Sequence, residues 1–168
     1  MRSWLVFEGP IRRALHTLKY RRNVALGDAL AQYLVEYVNV LDWSVDLVVP
    51  VPLGRRRMNE RGYNQVGLVA SPLAALQGWR YSPQVLARVR ETRSQVGLSA
   101  AERRENVSGA FCANAALASE KTILLMDDVA TTGATLVSCA EALLKAGAQT
   151  VYALTLARAL PHHGLQVV

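Results

Sequence analysis

The chain has 168 residues, 51% of them hydrophobic, which is enough apolar material for a folded core and argues against intrinsic disorder. Its 19 basic residues outnumber its 13 acidic ones, and 16 of the 19 are arginine, whose planar fork suits phosphate oxygens. No apolar run reaches the roughly 18 residues that a membrane-spanning helix needs, so membrane insertion is not expected.

The opening residues 1–7 are too short for a signal peptide, and Glu8-Gly9-Pro10 follows them. Pro10 suits the first turn of a helix over 10–20, with Ile11, Leu15 and Leu18 on one face. A second helix over 26–38 carries Leu30, Tyr33, Leu34, Tyr37 and Val38 at helical spacing, which makes the first 40 residues a helical segment packed on the core. Residues 46–51 form a short apolar strand ended by Pro50 and Pro52. A helix over 63–76 is expected to bend or break near Pro72. A strand over 84–89 leads into a long polar loop, 90–105, with a helical turn near Ala100, and another strand covers 107–112. A strand over 122–126, a helix over 133–146 capped by Gly147, and a last strand over 150–156 complete the chain. Strands alternating with helices predict an α/β fold: a mostly parallel, doubly wound sheet flanked by helices, in a single domain over 1–168. Ligands on such sheets bind at the carboxyl ends of the strands.

Two cysteines, Cys112 and Cys139, lie too far apart for a Cys-x-x-Cys and are too few for a four-ligand zinc site. No zinc and no structural disulfide are expected, and the reading is a reducing, cytoplasmic compartment. His16, His162 and His163 are scattered or terminal and form no catalytic set.

The stretch 122–135, Thr-Ile-Leu-Leu-Met-Asp-Asp-Val-Ala-Thr-Thr-Gly-Ala-Thr, orders an apolar strand, two carboxylates, a hydroxyl-rich loop and a helix start. Backbone N–H groups at a helix start are unpaired, and the helix dipole favours an anion there. Gly133 permits close approach or a positive φ, and Thr131, Thr132 and Thr135 add hydroxyl donors. Asp127 and Asp128 suit sugar hydroxyls or a divalent cation. A phosphorylated sugar is the natural ligand. No lysine follows the glycine, so this is not a Walker A loop.

The whole array resembles the phosphoribosyl-pyrophosphate (PRPP) signature of type I phosphoribosyltransferases at every position from 123 to 135. A second stretch, 49–65, reads Val-Pro-Val-Pro-Leu-Gly-Arg-Arg-Arg-Met-Asn-Glu-Arg-Gly-Tyr-Asn-Gln. Its arginines could neutralise a diphosphate, form a solvated basic loop, or meet a nucleic-acid backbone. Together with Leu18-Lys19-Tyr20, the run from Arg88 to Gln95, Leu98, Arg103 and Asn106-Val107, it resembles the ComF family of phosphoribosyltransferase-like proteins linked to DNA uptake. Members of that family commonly carry an N-terminal four-cysteine zinc knuckle, which this sequence lacks.

The resemblance implies roles. Residues Ala130, Thr131, Thr132, Gly133, Ala134 and Thr135 would cradle the 5-phosphate. Asp127 and Asp128 would be catalytic, taking the ribose hydroxyls and weakly binding Mg2+ with PRPP. Leu53, Gly54, Arg55, Arg56 and Arg57 would meet pyrophosphate, with a cis peptide near Leu53-Gly54. Arg88, Arg90, Arg93, Gln95 and Arg103 would belong to a mobile hood closing over the site. Arg158 lies where related transferases grip the acceptor base. The implied function is binding or transfer of phosphoribosyl groups with pyrophosphate leaving, linked to natural transformation; the alternative is a non-catalytic PRPP sensor that handles single-stranded DNA. Arg12, Arg13, Lys19, Arg21 and Arg22 are the candidate DNA contacts. The implied partners are PRPP, an acceptor that the sequence does not name, single-stranded DNA and DNA-uptake proteins, and a homodimer stays open.

Overall fold

The computed structural model describes residues 1–92 and 99–160. Strand β1 (Arg2–Val6) is followed by helices α1 (Gly9–Arg21) and α2 (Val24–Leu41), strand β2 (Leu47–Pro50), and helices α3 (Arg55–Arg61) and α4 (Gly67–Gln77). Strands β3 (Arg80–Tyr81) and β4 (Leu86–Arg88) flank a 3-10 turn, Pro83–Val85. Helix α5 (Ala100–Val107), strand β5 (Phe111–Ala113), helix α6 (Ala115–Ala118), strand β6 (Thr122–Ala130), helix α7 (Ala134–Lys145) and strand β7 (Thr150–Arg158) follow.

Five strands form one parallel sheet in the order β1-β7-β6-β2-β3, and β4 pairs antiparallel with β5 apart from it. The α/β, mostly parallel architecture is the one the alternating pattern predicts. Strand β6 is central, and both of its faces are covered. Side chains alternate across a strand, so its apolar run divides between two layers. Leu124 and Met126 pack with Leu15, Leu18, Leu34 and Leu73 of α1, α2 and α4. Ile123 and Leu125 pack with Val107 of α5 and Leu136, Cys139 and Leu143 of α7. A strand buried on both faces reads as a continuous apolar run, which is why no polar alternation marks it in the sequence. Helices α2 and α4 approach closely at Gly27, where an added Cβ would strike the Leu68 carbonyl.

Several elements differ from their sequence-based expectations. The opening residues form edge strand β1, paired in parallel with β7. The helix expected over 63–76 starts at Gly67 and runs through Pro72, because burial of Val69, Ala70, Leu73 and Ala74 outweighs the proline's missing donor. The strand expected over 84–89 shrinks to three residues after the 3-10 turn. The strand expected over 107–112 gives way to the end of α5 at Val107, a turn at Gly109, and β5. The arginine-rich loop is largely helix: Gly54 enters α3 with φ −65° and ψ 154°, and Gly62 closes it by donating its N–H to the Met58 carbonyl at 2.7 Å. No cis peptide occurs among the described residues, so the one expected near Leu53-Gly54 is absent. Ordinary extended backbone at Gly54 already turns the chain from β2 into α3. The helical turn near Ala100 is α5, begun by a capping box between Ser99 and Glu102.

Candidate functional site

Strand β6 continues beyond its apolar run through Asp127 and Asp128. The same alternation that divides the apolar residues sends the two carboxylates to opposite faces. Asp128 shares the parity of Leu124 and Met126 and meets α1. Its Oδ2 lies 2.6 Å from Lys19 Nζ. Gln65 Nε2 donates to the same oxygen at 3.1 Å, and the Val129 N–H donates to Oδ1 at 2.8 Å. Asp127 shares the parity of Ile123 and Leu125 and faces the α7 side. Its Oδ1 accepts the Asp128 N–H at 2.8 Å.

These environments drive the two acids apart. Burial pushes Asp127 well above the ordinary carboxylate range, and the charge of Asp128 adds to the effect. Burial also pushes Asp128 up, but Lys19 and the hydrogen bonds from Lys19, Gln65 and Val129 outweigh it and hold this carboxyl low. On the α7 side, burial raises the Cys139 thiol, and Asp127 raises it further. The raised folded-state pKa of Asp127 contributes stability that is lost as pH rises through that value. The lowered pKa of Asp128 contributes stability that is lost as pH falls through that lower value. A melting-temperature profile of the unliganded protein should therefore fall at both ends. Asp127→Asn should remove the fall above the ordinary carboxylate range and leave the acid limb; an unchanged profile would contradict the assignment.

The loop after β6 leads directly into α7. Thr131 and Thr132 are exposed, and Gly133 takes φ +80° at the helix start. Gly133 itself offers no side-chain cap, and the helix dipole favours an anion at this end. Asp127, Ala130, Thr131, Gly133, Ala134 and Thr135 line one small cavity of about 30 Å³. Thr132 Oγ1 accepts the Ala134 N–H at 3.4 Å. The cavity thus gathers five of the six 5-phosphate candidates, all but Thr132, with one carboxylate, Asp127. Asp128 is paired with Lys19 of α1, on the face of β6 opposite Asp127. Among the described residues no three His, Cys, Asp or Glu side chains gather as a metal cage.

Lys19 is the main departure among the DNA-contact candidates. Arg12, Arg13, Arg21 and Arg22 are exposed on or beside α1, but Lys19 turns inward to Asp128. Tyr63 fastens this helix: its hydroxyl donates to the Leu18 carbonyl at 2.6 Å and accepts the Arg22 N–H at 2.9 Å. Arg61 hydrogen-bonds Gln65, and its guanidinium lies 5.7 Å from the Tyr20 ring centroid. Tyr63 and Gln65 therefore connect α1, α3 and Asp128. The run Glu60-Arg-Gly-Tyr-Asn-Gln65 was the signal that could have marked them, but sequence reading gave neither side chain a role.

A family profile described as "Phosphoribosyl transferase domain" matches residues 16–163. The chain belongs to this family. The phosphoribosyl transferase domain is 36% identical over 156 residues to "DNA utilization protein YhgH" of Salmonella typhi, covering 90% of this chain and 68% of that protein. It is 37% identical over 120 residues to "Competence protein F" of Haemophilus influenzae, covering 68% of this chain and 51% of that one. These relatives are consistent with the ComF type. Its fold matches glutamine PRPP amidotransferase from B. subtilis, complexed with ADP and GMP, with TM-score 0.50, 21% identity, and coverage of 86% and 26% of the two chains. It also matches a structure described as the allosteric regulatory enzyme of purine biosynthesis, with TM-score 0.51, 21% identity, and coverage of 77% and 26%.

In this phosphoribosyl transferase domain the other candidates fall as follows. Leu53 and Gly54 precede α3, and Arg55, Arg56 and Arg57 are exposed on its first turns. Arg56 is paired with Glu60 at 2.9 Å. Of the hood candidates, Arg88 hydrogen-bonds Thr92 and lies 5.6 Å from the Phe111 ring centroid. Arg90 donates to the carbonyls of Asn106 at 3.1 Å and Ser108 at 2.7 Å. Arg103 lies on α5, while Arg93 and Gln95 fall outside the described residues. Arg158 ends β7, exposed at the carboxyl edge of the sheet. No helix among the described residues is long and apolar enough to cross a membrane.

Proposed function

We propose that this chain binds PRPP and transfers its phosphoribosyl group, with pyrophosphate leaving, in the cytoplasm. The observation that carries the reading is the single cavity in which the loop at the start of α7 and Asp127 converge. The 5-phosphate is held by the first-turn N–H groups of α7 with Thr131 and Thr135. Asp127 faces the ribose, where it binds hydroxyls and eases positive charge developing at the anomeric carbon. The exposed arginines of α3 meet the departing diphosphate. Asp128 holds Lys19 and the chain entering α4 through Gln65, and so fixes the floor of the site.

Magnesium is usually bound by one or two carboxylates plus substrate oxygens, so Asp127 alone fits an ion that arrives with PRPP. That ion supplies charge neutralisation on the diphosphate. The test is calorimetric titration of PRPP, with and without magnesium, into the folded protein. Saturable binding that magnesium strengthens is expected, and no binding under either condition would overturn the reading.

A second reading is favoured by the relatives named for DNA utilization and competence, together with the exposed arginines of α1. In it, the protein handles single-stranded DNA. Each lost phosphate contact lowers the salt slope by about 0.7 for a single strand. Arg12→Glu with Arg13→Glu should therefore flatten the dependence of log affinity on log salt by about 1.4. An unchanged slope would rule out these two contacts.

A further inference from the structure

A larger cleft lies between α1 and α3, with a cavity volume of about 160 Å³. Its walls are Lys19, Tyr20, Arg57, Glu60, Arg61 and Tyr63. Three cations thus face one carboxylate, and that carboxylate is already paired with Arg56 outside the cleft. Among the described residues Arg57 has no hydrogen-bond or salt-bridge partner. Tyr20 is 67% exposed, with its ring 4.6 Å from the His16 ring of the same helix and the Arg61 guanidinium 5.7 Å from its centroid. An aromatic face beside cations suits a ligand with a planar base and a phosphate. A purely anionic ligand would have no use for the ring.

The cleft also touches the acid pair. Lys19 is its shared wall, with Nζ on Asp128, and Arg61 reaches the same carboxylate through Gln65. A phosphate drawn toward Lys19 and Arg61 would pull on both contacts that hold Asp128.

We propose that this cleft binds a nucleotide unit beside the phosphosugar site, with its base stacked on Tyr20 and its phosphate among Arg57, Arg61 and Lys19. This rests on the proposed PRPP reading for its role as the second ligand, and it takes Arg57 for the cleft, leaving Arg55 and Arg56 to the diphosphate. The unit is either a free nucleotide or one residue of a single strand.

The test titrates thymidine monophosphate and a fluorescent ten-residue oligothymidylate into the full chain, and PRPP with magnesium in parallel. Both variants, Tyr20→Ala and Tyr20→Phe, are compared by melting temperature to establish folding. Stacking on one aromatic side chain is worth about a tenfold change in affinity or more. Tyr20→Ala should therefore weaken probe binding about tenfold, Tyr20→Phe should keep it, and PRPP affinity should be unaffected in both. Tyr20-dependent binding of the monophosphate assigns a free nucleotide. Tyr20-dependent binding of the oligomer alone assigns a single strand. Wild-type probe affinity in a folded Tyr20→Ala, or no binding of either probe by the folded wild type, overturns the proposal. Failure of PRPP binding with probe binding intact overturns the PRPP reading and leaves the cleft standing.

Discussion

Replacing Asp128 by Ala is expected to destabilise the fold by about 2 kcal/mol, which for a chain of this size lowers the melting temperature by about 4–8 °C. Asp128 is nearly buried, with a side-chain exposure of 11%, and its partner Lys19 is 28% exposed. Removing the carboxylate strands a partly buried ammonium and orphans the Gln65 amide donor. A fully buried pair loses about 3–5 kcal/mol when one partner goes; the exposure of Lys19 places this pair lower. Lys19→Met alone should cost a comparable amount, because it leaves the nearly buried Asp128 carboxylate without its cation. The double variant Lys19→Met with Asp128→Asn removes both charges and keeps the shape. In a double-mutant cycle with the single variants Lys19→Met and Asp128→Asn, it should show a coupling of about 1–2 kcal/mol. Additive losses by thermal or denaturant melts would show that the two groups do not hold each other. Reduced ligand binding by Asp128→Ala must accordingly be read against its melting temperature.

Gly133→Val is expected to weaken PRPP binding by at least about tenfold and to destabilise the fold by about 1–3 kcal/mol. Gly133 has φ +80°, a conformation that a β-branched residue adopts only under strain. Any Cβ there would also lie 3.4 Å from the Met1 sulfur. Relief of the strain moves the backbone at the start of α7, so affinity should fall even under conditions where the variant is folded. Calorimetry with PRPP beside a melting curve separates the two. Unchanged affinity in the variant would remove this loop from the ligand site.

The parts of the site that lie on contiguous residues were legible in the sequence. The strand, the acid pair, the hydroxyl loop and the glycine all follow one another within 122–135, and each constrains its own backbone locally. The helices α1, α2 and α7 and the strands β2, β6 and β7 were likewise visible, because apolar spacing and caps fix them over short distances. Edge strand β1 escaped notice because its stability comes from pairing with β7, some 150 residues later. The arginine-rich stretch looked like a loop because it has no apolar face to give a helical period, yet Gly54 and Gly62 bound a helix there.

Lys19 shows the same limit more sharply. On α1 it stands among Arg12, Arg13, Arg21 and Arg22 and looks like one more solvated charge. Only packing of α1 over one face of β6 brings its ammonium to Asp128. The sequence by itself determined the fold class, through local periodicity, and the family, through its resemblance at runs of adjacent residues. The tertiary structure alone decided that two neighbouring carboxylates face opposite layers, one held low by Lys19 and the other raised by burial, because the partner of each comes from a distant segment. A strand's alternation fixes that the two must part; which helix lies on each side sets what each becomes.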